Sequence, residues 1–123
     1  MEQRLFAARG AVQVDADESE SIITAVQAMY DEIVCSNALL ESDMVSVQFS
    51  VTGDLRSVNP ATALRSRNQQ FPVPLFCMQE PETTGMLKRT IRMLLLFYAP
   101  SDHVSCHAYL GGAAVLRPDF MNT

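Results

Sequence analysis

The fold of this chain is decided by the stretch Ile91-Arg92-Met93-Leu94-Leu95-Leu96-Phe97, an apolar run with one charged residue inside it. Such a run, without polar alternation, is typical of a central strand that is covered on both faces. We therefore predict a central strand over residues 87–98. A guanidinium stays charged in proteins, so a buried Arg92 needs an anion or several acceptors opposite it. Glu80 is one candidate partner, and an anionic small molecule is another.

Length, composition and charge limit the class of protein. The 123 residues are 48% hydrophobic and 19% charged, which predicts a single globular domain over residues 1–123 with an irregular C-terminal tail at 117–123. The net charge of −5 argues against nucleic acid and anionic membranes as partners. The sequence has no secretory signal and no run long enough to span a bilayer, so we expect a cytoplasmic protein.

The cysteines and histidines give little indication of a disulfide or metal site. Cys35, Cys77 and Cys106 are odd in number and far apart, which argues against a disulfide framework and fits a reducing compartment. His103 and His107, with Cys106 between them, form only a weak metal motif, and a turn histidine followed by a strand histidine explains the pattern better. These residues therefore do not predict a metal site.

The sequence of the first half of the chain predicts a strand, a helix and a second strand. Residues 5–14 predict a strand in which Arg9-Gly10 marks either a bulge or a close approach of the backbone. An amphipathic pattern then predicts a helix from about residue 18 to 37, with Asp15 as its N-cap. Clean alternation over residues 45–51 predicts a half-buried strand.

The second half adds a short helix and three strands. Asn59 and Pro60 have the sequence of a helix start, with Asn as cap and Pro in the first turn. Further strands are predicted over residues 75–79 and 104–110, before and after the central one in the sequence. The resulting class is α+β: a mixed sheet of about five strands with two helices on one face. The other face would have to be buried by other subunits.

A series of short motifs runs through the chain in a fixed order. They are Arg9-Gly10-Ala11, Asp54-Leu55, Pro60-Ala61 with Arg65, Cys77-Met78-Gln79-Glu80, Thr84-Gly85-x-Leu87-Lys88 with Ile91-Arg92, His107-x-Tyr109-Leu110, and Val115-Leu116-Arg117-Pro118-Asp119. In these motifs and in length the chain resembles the AroH-class chorismate mutases, which are monofunctional and trimeric. The resemblance implies conversion of chorismate to prephenate by a homotrimer whose sheets form a barrel-like core. It also implies active sites between subunits and no cofactor.

The resemblance also implies roles for individual residues. Arg92 is expected to face the ether oxygen of chorismate, and Glu80 to accept a hydrogen bond from the ring hydroxyl. Arg9 is expected to hold the side-chain carboxylate together with the Tyr109 hydroxyl. The other substrate-binding residues that it implies are Phe76, Cys77, Met78 and Gln79 around the ring, with Asn59, Arg65, Leu116 and Arg117 toward the mouth of the cleft and the tail.

Ordinary structural roles remain open for the same residues. Arg92 and Glu80 would then form an ion pair between neighbouring strands, and Cys77 would be a small buried side chain. The remaining alternatives are an edge-strand arginine for Arg9, a hydroxyl in water for Tyr109 and a tail charge for Arg117.

Three departures from the family pattern leave a second function open. Asn59 stands where the family commonly has Phe, Thr62 stands where it commonly has Lys, and Gly111-Gly112 replaces a charged pair. We expect the first two changes to weaken substrate binding and the third to loosen the entry to the tail. A non-catalytic trimeric module that binds or senses small carboxylates is therefore the alternative function, and an interaction domain with a structural ion pair is a third.

Overall fold

The computed structural model describes residues 2–115. Its elements, in chain order, are strand β1 (Gln3–Gln13), helix α1 (Ser19–Ser36), strand β2 (Met44–Val51), helix α2 (Pro60–Arg65), strand β3 (Leu75–Gln79), strand β4 (Thr90–Pro100) and strand β5 (Ala108–Leu110). Two short 3-10 helices span Glu41–Asp43 and Gly111–Val115. Within this part of the chain, neither α-helix has the length and apolar character needed to cross a membrane. The tail at 117–123 lies outside the described residues, and the single domain over 1–123 stays a prediction.

The five strands form one mixed sheet in the order β3-β2-β4-β1-β5. β4 is central, as the apolar run predicts, and is antiparallel to both β1 and β2. The outer pairs, β2 with β3 and β1 with β5, are parallel. β4 begins at Thr90 rather than at residue 87, because Arg89 has a φ of 47°, which breaks the extended backbone.

The two faces of the sheet differ in what covers them. Odd-numbered residues of β4, such as Leu95 and Phe97, are fully buried on the side where α1 packs. Even-numbered residues point to the opposite face, which we call the open face. By strand register the open face carries Leu5, Ala7, Arg9, Ala11, Ser46, Gln48, Ser50, Phe76, Met78, Arg92, Leu94, Leu96, Tyr98 and Tyr109.

Gly10 lies in β1 because helix α1 approaches the sheet closely at that point. The pairing of β1 with β4 is continuous through Arg9 and Gly10, so there is no bulge. A Cβ at Gly10 would lie 2.8 Å from Ile33 Cδ1 and 2.9 Å from Met29 Cγ. Of the two interpretations of this glycine, close approach is the correct one. The irregularity lies instead in β2, where the register shifts between Met44 and Ser46.

Of the two predicted helix N-caps, the structure confirms the one of α2 but not the one of α1. The predicted N-cap Asp15 is wrong, because α1 begins after Glu18, which makes no side-chain cap hydrogen bond. The nearby Asp17 carboxylate accepts hydrogen bonds from the backbone N–H groups of Arg56 and Ser57. These hydrogen bonds lower the pKa of Asp17. The cap of α2 is confirmed, since Asn59 Oδ1 accepts the Ala61 N–H at 2.8 Å.

The last strand is shorter than predicted because a side chain takes its hydrogen bonds. The strand was expected over residues 104–110, but β5 begins at Ala108. Asn37, at the C-cap of α1, accepts the Cys106 N–H at 2.8 Å and donates to the Cys106 carbonyl at 2.9 Å. These are the backbone groups that a neighbouring strand would use.

The contact at Gly10 gives a stability prediction. Gly10→Ala should lower the free energy of unfolding by about 1–3 kcal/mol, because the new methyl overpacks the helix–sheet contact. In an Ile33→Val background, which removes the Cδ1 atom, the same change should cost less by about 0.5 kcal/mol or more. Urea unfolding at one fixed protein concentration measures both values. Equal costs in the two backgrounds would contradict the close approach.

Candidate active site

Arg92 and Glu80 form an ion pair on the open face. Arg92 Nε lies 2.9 Å from Glu80 Oε1, and the two side chains are 33% and 27% exposed. Arg92 is therefore only half-buried, which differs from the expectation of a guanidinium enclosed by its apolar neighbours. The reason is the two-residue period of the strand, which directs Ile91 and Met93 into the helix-side core and Arg92 to the other face.

The pair is formed across an intervening strand. Glu80 directly follows β3, and its N–H extends the ladder by donating to the Val51 carbonyl at 2.8 Å. The sequence-based alternative of an ion pair between neighbouring strands is wrong about the strands, because β2 lies between β3 and β4. Ser50 of β2 pairs with Arg92 and donates its hydroxyl to Glu80 Oε1 at 2.9 Å. A small residue in the middle lets two long side chains meet above it.

The outer part of the Arg92 guanidinium is free within residues 2–115. Its one contact uses Nε, so four N–H groups on Nη1 and Nη2 have no partner in the described chain. Likewise, only Oε1 of Glu80 is engaged, by Arg92 and Ser50. The pair therefore presents a fixed cationic fork and a spare carboxylate oxygen, side by side. Such a site can bind an anionic oxygen and a hydroxyl group at the same time.

Tyr109 lies in the same row of the sheet as Arg92. Both residues pair with Ala11, so two strand spacings, about 10 Å, separate their backbones. The ring packs with Ala11, Ala113 and Leu87, and the residue is only 6% exposed. Its hydroxyl is buried and has no hydrogen-bond partner among the described residues. A buried hydroxyl without a partner is costly, which makes it a candidate ligand contact.

Arg9 belongs to this group through its strand. It precedes Ala11 by two residues and therefore shares the open face. Its backbone N–H donates to His107 Nδ1 at 3.0 Å, which links β1 to the segment before β5. His103 contacts Asn37 Oδ1 and the rings of Phe6 and Phe97.

The segment from Phe76 to Gln79 divides between the two faces. Phe76 and Met78 are exposed on the open face at 61% and 44%. Cys77 pairs with Phe49 and packs against the helix-side core, where burial raises the pKa of its thiol. Gln79 lies on the same side as Cys77. A contact between Cys77 and a ligand on the open face would therefore have to use its backbone.

Asn59 and Arg65 are not brought to the Arg92 group by this chain. Asn59 caps α2 and Arg65 ends it, and this helix packs against α1 and β3 on the helix side. Both are exposed, and the Asn59 carboxamide oxygen is occupied as a helix cap. Leu116 and Arg117, the other two predicted residues, lie outside the described part of the chain.

A cleft lies next to the pair rather than over it. It has a volume of about 820 Å³ and is bordered by Glu80, the segment after β2 and the loop before β4. Arg92 and Tyr109 do not line it. Its walls include both the acid Asp54 and the base Lys88.

Sequence reasoning missed Ser50 and Leu87, which contact predicted site residues. Ser50 occupies a polar position in the alternating pattern of β2, and this was the available signal. Knowing that it lies between Glu80 and Arg92 required the strand order, which periodicity does not supply.

The buried hydroxyl of Tyr109 gives a prediction for the free protein. Tyr109→Phe should leave the unfolding free energy unchanged or raise it by up to about 1–3 kcal/mol, because it removes an unsatisfied buried group. Tyr98→Phe, at an exposed position of the same face, should change it little. Thermal or urea unfolding without ligand measures both. A clear loss of stability in Tyr109→Phe would indicate a structural partner for the hydroxyl.

Comparison with known proteins gives one consistent family. The family model described as chorismate mutase type I matches residues 5–120. Chorismate mutase AroH of Bacillus subtilis is 37% identical over 117 residues, which are 94% of this chain and 91% of that protein. The Thermus thermophilus protein of the same name is 37% identical over 114 residues, covering 90% and 92%. A solved chorismate mutase from Clostridium thermocellum superimposes with a TM-score of 0.81 at 33% identity, covering 89% of this chain and 98% of that one. The chain belongs to the type I chorismate mutase family.

Proposed function

We propose that the chain is an isomerase that rearranges chorismate to prephenate, the branch step toward phenylalanine and tyrosine. The observation that carries this proposal is the Arg92 guanidinium, which Glu80 holds through Nε while the Nη groups stay available. Family membership supports the same reaction. The matched relatives give no support to a non-catalytic carboxylate-binding module, since both curated ones are named chorismate mutases.

The reaction needs geometry and charge rather than a nucleophile. Within one molecule a C–O bond breaks while a C–C bond forms, so no atom is transferred to the protein. Bond breaking runs ahead of bond formation, and the ether oxygen gains negative charge in the transition state. A protein catalyses such a step by holding the folded conformer and by stabilising that charge.

Arg92 is the group that we assign to the ether oxygen. Its position is fixed before substrate binds, because Nε is held by Glu80 and the backbone lies in the central strand. A donor held in this way needs little reorganisation at the moment of reaction. Glu80 has a second role, since its Oε2 atom is available to accept the ring hydroxyl and favours positive charge on the ring.

Arg9 and Tyr109 are the groups that we assign to the side-chain carboxylate. Both face the same side of the sheet as Arg92, on the two strands next along the row. A carboxylate oxygen would satisfy the Tyr109 hydroxyl, which has no partner within residues 2–115. Phe76 and Met78 present apolar surface beyond Glu80 on the same face.

A homotrimer with sites between subunits is the assembly that we propose. The open face is rich in apolar side chains, and Leu5 and Tyr98 are 45% and 48% exposed on it. A face of this kind is characteristic of an interaction surface. Within one chain Asn59 and Arg65 lie on the helix side, so a neighbouring copy would have to supply them to the Arg92 group. We also propose a cytoplasmic location, which the three free cysteines fit.

Arg92→Lys tests the reaction and the residue together. The wild-type protein should deplete chorismate, followed by ultraviolet absorbance, without added metal or cofactor. Arg92→Lys should stay folded and lose about 100-fold or more in kcat, because an ammonium cannot contact Glu80 and the ether oxygen as a fork does.

Arg67→Lys is the matched control for this variant. Arg67 also forms an ion pair, with Asp31 at 2.7 Å, but on the exposed helix side. Its kcat should match that of the wild-type protein. A folded Arg92→Lys protein with near-normal kcat would remove Arg92 from the mechanism, and a wild-type protein without turnover would reject the proposed reaction.

Leu5→Glu tests the assembly. In a monomer this exposed position tolerates a charge, whereas three copies packed through the open face would have to bury it. Light scattering after size exclusion should give about three chains for the wild-type protein and fewer for Leu5→Glu. Leu40→Glu, at a 66% exposed position outside the sheet, should not change the mass. A monomeric wild-type protein would contradict the proposal.

A further inference from the structure

A hydrogen-bonded relay closes the sheet immediately beside the Arg92–Glu80 pair. Thr52 directly follows β2, and Thr90 begins β4. The Thr52 N–H donates to the Thr90 carbonyl at 3.0 Å, and the Thr90 N–H donates to Thr52 Oγ1 at 3.0 Å. Thr52 and Thr90 are only 5% and 2% exposed. A side-chain hydroxyl thus takes the place of a backbone carbonyl at the end of the ladder.

Asp54 completes the relay from the surface. The Thr52 hydroxyl donates to Asp54 Oδ1 at 2.5 Å. The Arg89 N–H donates to the same carboxylate, at 3.2 Å from Oδ1 and 3.0 Å from Oδ2. Two successive backbone N–H groups, those of Arg89 and Thr90, are therefore held by this relay. Burial tends to raise the pKa of Asp54, but the bonds from Thr52 and Arg89 outweigh it and lower the pKa, so the carboxylate is charged at neutral pH.

The backbone that the relay holds is unusual. Arg89 is one of two non-glycine residues with positive φ within residues 2–115, at 47°. This conformation turns the chain sharply from the loop into β4 and is unfavourable for a residue with a Cβ. Arg89 is also fixed to the end of β1, because its Nε donates to the Val14 carbonyl and its carbonyl accepts the Val14 N–H. The ends of three strands therefore meet at one strained residue.

Thr52 and Thr90 of the relay lie one or two positions along the chain from residues of the Arg92–Glu80 pair and its support. Arg92 follows Thr90 by two positions, and Ser50 precedes Thr52 by two. Glu80 is bonded through its N–H to the carbonyl of Val51, the residue before Thr52. If the ladder frayed at this end, the backbones that carry Arg92, Ser50 and Glu80 would separate first. A displacement of 1 Å in a positioned group can cost about 100-fold in rate.

We infer that Thr52 and Asp54 are positioning residues for the reaction, acting through the N–H groups of Thr90 and Arg89 to hold Arg92 in register with Glu80. This inference rests on the proposed function. It adds two residues that touch neither member of the pair and that lie at the wall of the adjacent cleft.

Thr52→Val and Thr52→Ser test the relay as a matched pair. Valine keeps the shape but leaves the Thr90 N–H without an acceptor, whereas serine keeps the hydroxyl. We expect Thr52→Val to lower kcat about tenfold with KM changed much less, and Thr52→Ser to restore most of it. Thr24→Val, an exposed threonine on α1, is the control and should leave kcat unchanged.

Asp54→Ala provides the same test without touching the core. Asp54 is exposed, so this variant decides the matter if Thr52→Val does not fold. It should lower kcat in the same direction as Thr52→Val at 25 °C, under conditions where circular dichroism shows the protein folded. A purely structural role would lower the melting temperature and leave kcat of the folded protein intact, which would overturn the inference. A wild-type protein without turnover would overturn the proposed function itself and remove this inference with it.

Discussion

The contact between Glu80 and Arg92 above Ser50 is the interaction on which the site depends. Its two side chains are about one-third exposed, so it contributes about 1 kcal/mol or less to folding. The pair matters because it positions the Arg92 guanidinium. Glu80 contacts Nε and leaves the Nη groups without a partner within residues 2–115, so they remain available to a ligand. A lysine has no such geometry, because its single ammonium would be taken up by the carboxylate.

The strand order explains why this contact can form. Placing β2 between β3 and β4 brings Ser50 under the pair, and the hydroxyl of Ser50 donates a hydrogen bond to the same carboxylate oxygen that contacts Arg92. The same order puts β1 and β5 on the other side of β4, which aligns Arg9 and Tyr109 with Arg92. All five strands therefore carry a group of the proposed site on one face, with Phe76 and Met78 on β3 and Glu80 directly after it. The two α-helices pack on the opposite face, and the short 3-10 helix Gly111–Val115 packs against Ala11 and Tyr109 at one edge of the open face.

Much of the fold is readable from local pattern. Alternation in β2, the long apolar run of β4 and the Asn59 cap are all determined by neighbours in sequence, and each is confirmed. The errors arise where distant residues compete. Asn37 takes the backbone groups of Cys106 and shortens β5, and the loop after β2 engages Asp17, while Asp15 does not cap α1. Periodicity could not indicate that Arg92 faces away from the core, because leucines occupy both faces of β4. The apolar run predicted that Arg92 needs an anion and offered Glu80 as a candidate partner, but the relay through Thr52 and Asp54 becomes visible only when the strands are paired.

The most direct test is a crystal structure of the protein with an unreactive dicarboxylate that mimics the folded conformer of chorismate. We predict an Nη atom of Arg92 at about 2.7–3.1 Å from the ether oxygen of the ligand, with Nε still bound to Glu80. A complex in which the ether oxygen faces no cation, while Arg92 contacts only protein groups, would contradict the account.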